Sequence, residues 1–144
     1  MKKFNFIFIF LLFCLPTALF AQSEEEAVIK VVQEAYIDAM QNLGDLEVAC
    51  KGFHPDFEML LFRDGQMSKL NIKDWMERVE QRKANLLSTP PNITGKFLEV
   101  EITGTVALVK LELHRDRQRI FTDYISLYKF EDGWKMVSKV YYQH

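Results

Sequence analysis

Asp123 is the residue of this sequence that most clearly invites a chemical role. In a β-strand it would share one face with Phe121 and Ile125, because alternate strand residues point the same way. A buried carboxylate without partners is hard to ionise, and such groups in clefts are candidate acids or bases. The alternative is structural: Asp123 accepts a hydrogen bond from a backbone amide or a Tyr hydroxyl, or pairs with Lys110 or Lys139 on a neighbouring strand.

His54 and Asp56 form a second candidate pair, in the segment Phe53-His54-Pro55-Asp56. This segment is expected to be a linker, and linkers held by a scaffold often carry functional groups. The two side chains would supply a base and an acid. In the alternative, Asp56 accepts backbone N–H bonds in a turn and His54 lies on the rim.

Four aromatic residues are predicted to line a pocket: Tyr36, Phe57, Trp75 and Phe121. Tyr36 would offer a hydroxyl group and Trp75 a flat apolar wall. The alternative is that aromatic residues at helical spacing belong to the ordinary core.

The sequence predicts neither a metal site nor a cofactor. Its 3 histidines, at positions 54, 114 and 144, have no ligand spacing, and no cysteine pair accompanies them. Neither a Gly-rich phosphate loop nor a Gly-x-Ser-x-Gly elbow occurs. Without a basic stretch to neutralise phosphates, nucleic acid is not an expected partner.

The first 21 residues predict a secretory signal peptide. Lys2 and Lys3 precede an apolar run from Phe4 to Phe20, and Ala21 suits the position before the cut. A retained membrane anchor is the alternative, although the run is short for a spanning helix. We expect a secreted or periplasmic protein, free of the membrane after cleavage, with one domain over residues 22–144 and Cys50 as a lone buried thiol.

Three helices are expected. A capping box at Ser23 opens a long amphipathic helix that ends near Gly44. Asp45 caps a short second helix, and Asn71 caps a third whose apolar stripe includes Trp75.

The remaining segments alternate like strands. Residues 57–62 and 66–70 flank a tight turn and predict a β-hairpin. Residues 93–103, 106–115, 118–130 and 134–142 are separated by short turns and predict an antiparallel meander. The order is helix, helix, hairpin, helix, four-strand meander, which is an α+β architecture.

Several short motifs carry a resemblance to a known superfamily. They are Phe-His-Pro-Asp-Phe at 53–57, Asp-Gly at 64–65, Phe-Thr-Asp-Tyr-Ile-Ser-Leu at 121–127 and Asp-Gly-Trp-Lys-Met-Val-Ser-Lys at 132–139. With the element order, they resemble the nuclear transport factor 2-like (NTF2-like) superfamily, in its bacterial families described as "putative lumazine-binding" or SnoaL-like. The resemblance implies a cone, in which three N-terminal helices pack on a strongly curved, mostly antiparallel sheet around a cavity.

The superfamily includes ketosteroid isomerases, dehydratases, epoxide hydrolases, polyketide cyclases and non-catalytic binding domains, so its fold alone does not assign a function. SnoaL-like cyclases often carry histidines where this chain has Ser138 and Val140. The first hypothesis is an exported binding or accessory domain with an apolar pocket for a small apolar or aromatic ligand. The alternative is a cofactor-free isomerase, dehydratase or hydrolase with Asp123 or the His54–Asp56 pair as acid and base.

A homodimer is also expected. Tyr124 and Tyr128 fall on the strand face opposite Asp123, so aromatic surface should remain outside once the helices cover the other face.

Overall fold

The computed structural model describes the backbone of residues 16–144 and the side chains from residue 24 onward. The predicted signal peptide therefore lies outside the described residues, apart from the backbone of positions 16–21. Within the described part of the chain, no helix is long and apolar enough to cross a membrane.

Helix α1 (Pro16–Val31) continues directly into a π-helical segment (Val32–Gln41). We expected the helix to begin at Ser23, and that prediction is wrong for this chain, because Ser23 lies inside the helix. The preceding turn supplies carbonyl partners for the backbone amides there, so no side-chain cap is needed.

The π-helical winding was not expected from the sequence. Its hydrogen bonds span five residues: Asn42 N–H donates to the Ile37 carbonyl over 3.0 Å, and Gly44 N–H to the Ala39 carbonyl over 3.0 Å. A π-turn holds more residues than an α-turn. Ile37, which falls outside the apolar stripe of a regular α-helix, is consequently fully buried beside Val32 and Tyr36.

The sheet is shaped to receive this wider segment. A Cβ atom at Gly95 would collide with the end of the Ile37 side chain, so glycine there permits the close approach. The Asn42 side chain also pairs with the backbone of Ile93, donating to its carbonyl over 2.8 Å and accepting from its N–H over 2.7 Å.

The two other helices begin where expected. Asp45 accepts a hydrogen bond from Glu47 N–H over 2.9 Å at the start of α2 (Leu46–Gly52), and Asn71 accepts from Asp74 N–H over 2.9 Å at the start of α3 (Ile72–Ala84). Cys50 is exposed, which corrects its predicted burial, because α2 turns other residues toward the core.

Within residues 16–144, six strands form one curved, open, mixed sheet in the order β2-β1-β6-β5-β4-β3. Their bounds are β1 Phe53–Arg63, β2 Gln66–Asn71, β3 Ile93–Thr103, β4 Val106–Arg115, β5 Gln118–Phe130 and β6 Gly133–Gln143. Neighbouring strands are antiparallel except β1 and β6, which run parallel. The predicted hairpin, meander and α+β class are confirmed.

The expected linker at 53–56 is in fact the beginning of β1. Pro55 lacks a backbone N–H, and the pairing of β1 with β6 is irregular between Phe53 and Glu58. A proline is tolerated where a strand departs from regular pairing. His54 and Asp56 therefore project from a strand rather than from a free loop.

Three β-bulges interrupt the long strands. The pairing register skips Leu98 of β3, Ile120 of β5 and Val137 of β6. An extra residue bends and twists a strand and re-aims the side chains that follow it. In β6 the consequence is large: Trp134 and Met136 are buried before the bulge, and Lys139 is buried after it.

The helices cover the inner face of the sheet, and the core lies between them. The inward series on β4 is Ala107, Val109, Leu111 and Leu113, all buried. The carboxylate of Glu24 fixes the first helix to β5 and β6 by accepting from Lys129 Nζ over 2.6 Å and from Trp134 Nε1 over 2.8 Å. These contacts set the position from which Tyr36 reaches the sheet.

Candidate functional site

Three polar side chains meet inside the apolar core: Tyr36, Asp123 and Lys139, with 1%, 0% and 5% of their surfaces exposed. The Tyr36 hydroxyl donates to Asp123 Oδ2 over 2.5 Å. Lys139 Nζ donates to the Tyr36 oxygen over 2.7 Å and to Asp123 Oδ1 over 3.1 Å. Each member touches the other two, and we refer to them as the polar cluster.

A different feature of the backbone positions each member of the polar cluster. Tyr36 comes from the π-helical segment and Asp123 from the inner face of β5. Lys139 points inward because of the bulge at Val137; regular alternation from Met136 would place Ser138 inside instead.

Aromatic rings surround the Lys139 ammonium group. Its Nζ atom lies 4.7 Å from the ring centroid of Tyr36, 4.8 Å from that of Tyr141 and 5.6 Å from that of Trp75. At these distances the faces of aromatic rings attract a cation. Tyr141 is only half-buried, so it is the ring of the three that separates Lys139 from solvent.

Burial shifts the proton affinities of the two donors in opposite directions. It raises the pKa of Tyr36 well above its ordinary value of 10.0, and the negative charge of Asp123 raises it further. Tyr36 therefore remains a proton donor at any physiological pH. Burial lowers the pKa of Lys139 below its ordinary value of 10.5, although the ion pair with Asp123 opposes that effect.

The cluster combines two hydrogen-bond donors with one proton acceptor. An ammonium group and a phenolic hydroxyl can both donate to an oxygen atom on a ligand, and a carboxylate beside them can accept a proton. A carbonyl group, whose oxygen gains negative charge when a neighbouring carbon loses a proton, is the ligand chemistry that such an arrangement suits.

The predicted pocket-lining residues lie close to this cluster. The Trp75 ring centroid is 5.8 Å from that of Tyr36 and 6.0 Å from that of Phe57. Phe121 packs edge-on against Tyr141 with 5.4 Å between centroids and is half-buried like it. Their role as the walls of a pocket stays a prediction.

His54 and Asp56 lie elsewhere. The His54 ring stacks on Phe130 with 4.8 Å between centroids, and the Asp56 side chain is 93% exposed. Phe130 is seven residues along β5 from Asp123, roughly 20 Å at the usual rise of a strand. The structure therefore does not bring the two candidate sites together.

Several surface clefts of the described residues lie away from the cluster, and two of them are lined in part by aromatic side chains. One, of about 630 Å³, runs between α2 and α3 and is lined by apolar residues, among them Phe53 and Met76, and by charged side chains. Phe53 also packs edge-on against Trp75, with 5.8 Å between centroids. The other is a groove of about 280 Å³ on the outer sheet face, beside Tyr124 and Val140.

Sequence reasoning named Lys139 only as one of the alternative partners of Asp123, and it missed the residue as a functional group. The obstacle was its position, because simple alternation on β6 places Lys139 on the outer face with Lys135. One signal was present in the sequence. Tyr141 lies two residues beyond Lys139, so the two side chains share a face of β6, and a shift of one residue in the strand turns both inward.

A model of the family described as "Putative lumazine-binding" matches residues 23–142 of the chain. Among curated proteins, "Aldolase FrzH" from Cladobotryum sp. is 27% identical over 123 residues, covering 85% of this chain and 93% of that relative.

Solved structures share the architecture. An NTF2-like protein of unknown function from Shewanella baltica has a TM-score of 0.69 at 21% identity, covering 85% of this chain and 95% of that one. A structure described as a "putative ketosteroid isomerase" from Shewanella frigidimarina has a TM-score of 0.55 at 18% identity, covering 81% and 94%. At these identities the similarity shows the common fold.

Replacing Asp123 should lower the stability of the fold, because the buried Lys139 charge then loses its partner. Asp123→Asn leaves that charge without a counter-charge, so the free energy of unfolding at neutral pH should fall by about 3–5 kcal/mol in urea titrations. Replacing both residues, as Asp123→Leu with Lys139→Met, should recover most of the loss, because no charge then remains buried.

The matched control is Asp132→Asn, which breaks the exposed ion pair between Asp132 and Lys135, 2.9 Å apart. Its effect should be far smaller. An Asp123→Asn variant no less stable than this control would contradict the charge pairing.

Proposed function

The chain belongs to the family described as "Putative lumazine-binding", within the NTF2-like superfamily, and on that basis we propose that it binds a small, flat, carbonyl-bearing molecule at the polar cluster. The ligand's carbonyl oxygen takes hydrogen bonds from Lys139 and Tyr36. Its apolar body lies against the rings of Trp75 and Phe121.

One observation supports this proposal above the others: the core contains a buried ion pair that the folding stability does not require. Removing two charges from water costs several kcal/mol, and apolar residues of similar volume are often as stabilising or more so. The chain nevertheless places Asp123 and Lys139 in its core and hydrogen-bonds both. Side chains retained at such a cost suggest a role in recognition or chemistry.

We propose that the ligand reaches the cluster past Phe121 and Tyr141. Both side chains are half-buried and contact each other, whereas Tyr36 and Trp75 are buried. A rotation of the Tyr141 side chain would uncover Lys139 Nζ without moving a strand. The ligand then replaces the Tyr141 ring beside the ammonium group.

Lumazine is the first ligand to test, because it is a flat fused bicycle that carries ring carbonyl groups. Calorimetric titration should show binding to the unmodified protein. Affinity should fall about tenfold or more in the Asp123→Leu/Lys139→Met variant, since a hydrogen bond to a charged donor contributes about 1.5–3 kcal/mol.

His54→Ala is the control, because it alters the other candidate site and leaves the core intact. It should bind lumazine with unchanged affinity. Binding that survives loss of the polar cluster, or that disappears with His54, would move the ligand away from the position proposed.

A second candidate function is catalysis of proton transfer at the carbon next to a carbonyl group. Its support is the contact of Asp123 with two donors, since a base flanked by oxyanion donors is the arrangement that enolisation needs. An aldolase among the relatives, and a structural neighbour described as a "putative ketosteroid isomerase", are both named for chemistry at such carbons.

Hydrogen exchange tests this second candidate. We expect the protein to accelerate deuterium uptake from D₂O at the carbons flanking the carbonyl of 2-tetralone, followed by NMR, by roughly 10²-fold over the Asp123→Leu/Lys139→Met variant. Equal rates for the two proteins would leave binding as the function and eliminate the catalytic candidate.

We further propose that the protein is exported and works as a homodimer. The outer sheet face exposes 51% of Leu108, 47% of Tyr124 and 45% of Val140. A second copy presents the same apolar patch, so one two-fold contact covers both. The N-terminal pattern of residues 1–21 supports export.

Native mass spectrometry of the protein from a secreting host should find a dimer of chains that begin near Gln22. Leu108→Lys should shift the population toward monomer, because it buries a charge in the interface. Leu87→Lys, at a side chain that is fully exposed in a loop, should not. A monomer at every concentration, or chains that retain residues 1–21, would contradict the corresponding half of this proposal.

A further inference from the structure

The Lys139 amine has an environment unlike that of the other described lysines. Of the lysines from residue 24 onward, it alone is buried. Its polar contacts within the described part of the chain are Asp123 and Tyr36, and three aromatic rings cover the rest. A lysine in a water-poor, apolar site loses its proton more readily, and the free amine is a nucleophile toward carbonyl carbons.

We propose that Lys139 forms an imine with an aldehyde or ketone bound at the polar cluster. This inference rests on the proposed function, because it takes the same carbonyl ligand in the same place. It adds a covalent step that hydrogen bonding to the ligand does not require.

Asp123 supplies the proton transfers. Its Oδ1 atom is 3.1 Å from Lys139 Nζ, so it can take a proton from the ammonium group and leave a neutral amine. The amine lone pair then forms a bond to the carbonyl carbon, and Asp123 returns the proton to the carbonyl oxygen. The nitrogen gives up one more proton to that oxygen, which departs as water.

The product is a protonated imine. Of the three hydrogens on the ammonium group, two leave in water and one stays on nitrogen with the positive charge. Asp123 is again a carboxylate and faces the new cation as it faced the old one. The net charge of the cluster is therefore unchanged, which avoids the cost of creating an unpaired charge in the core.

Tyr36 has a positioning role in this step. Its hydroxyl touches both Asp123 and Lys139, at 2.5 Å and 2.7 Å, and keeps its proton because burial raises its pKa. It can hold the carbonyl oxygen while the carbon–nitrogen bond forms, as a preorganised donor does for a developing oxyanion.

Reductive trapping tests the inference directly. The probe is 2-naphthaldehyde, with sodium cyanoborohydride to reduce any imine to a stable secondary amine, and peptide mapping by mass spectrometry to locate it. Lys139 should be modified about tenfold faster than any exposed lysine, because the bound aldehyde is held beside its amine and burial lowers the pKa of that amine.

Two variants make the result specific. Lys135→Arg changes a lysine of the same strand and should leave trapping at Lys139 as it is. Lys139→Arg keeps a cation beside Asp123 but cannot form an imine, so labelling at position 139 should be lost while circular dichroism stays native. If Lys139→Arg fails to fold, the rate of reductive trapping at Lys139 in the unmodified protein, compared with the rates at the exposed lysines of the same sample, decides the question.

The outcomes separate this inference from the proposed function. Preferential modification of Lys139 supports both. Binding of 2-naphthaldehyde or lumazine at the cluster, with Lys139 modified no faster than the exposed lysines, overturns the imine and leaves the binding function standing. Absence of binding together with absence of trapping overturns both.

Discussion

Burial of the Asp123–Lys139 ion pair is the constraint on which the rest of this structure depends. Two charges in an apolar core need partners for their remaining hydrogen-bonding capacity, and the side chains described leave no buried nitrogen or oxygen without one. Tyr36 completes the pairing from the helix. The helix must therefore approach the sheet closely at that point, and Gly95 and the π-helical winding of Val32–Gln41 provide the approach.

The same constraint joins the site to the strand irregularities. A bulge at Val137 brings Lys139 to the inner face, and Tyr141 follows it to cover the ammonium group. With regular pairing, β6 would bury Ser138 instead of Lys139. Asp123 would then lie in an apolar core with the neutral Tyr36 hydroxyl as its hydrogen-bond partner. Bulges occur often beside functional sites for this reason, because they re-aim a side chain without changing the fold.

Much of the architecture could be predicted from the sequence, because its determinants are local. Asp45 and Asn71 cap helices through contacts two and three residues away, and tight turns such as Asp64-Gly65 mark where strands reverse. Alternation placed Asp123 on the inner face of β5 correctly. The NTF2-like resemblance then followed from the order of the elements.

The polar cluster could be predicted only in part, since it depends on registers that the sequence does not display. Period-2 alternation carries no mark of the residue at which a strand bulges, so the sequence offered Lys139 only as one of several alternative partners of Asp123. Period-3.6 spacing likewise gave no reason to bury Ile37, whose inward position requires a π-turn. Both failures occur where tertiary packing overrides local preference, and both lie on elements that carry a member of the polar cluster.

The bulge at Val137 also bears on how equivalent sites are recognised among distant relatives. A bulge absorbs one residue, so a strand can gain or lose that residue while the side chains beyond it keep their facing. In an alignment, the lysine of one protein then stands a column away from the residue that occupies the same point in space in another. At identities near 20%, the residue equivalent to Lys139 in another protein is better identified by its inward-facing position in the structure than by its column in a sequence alignment.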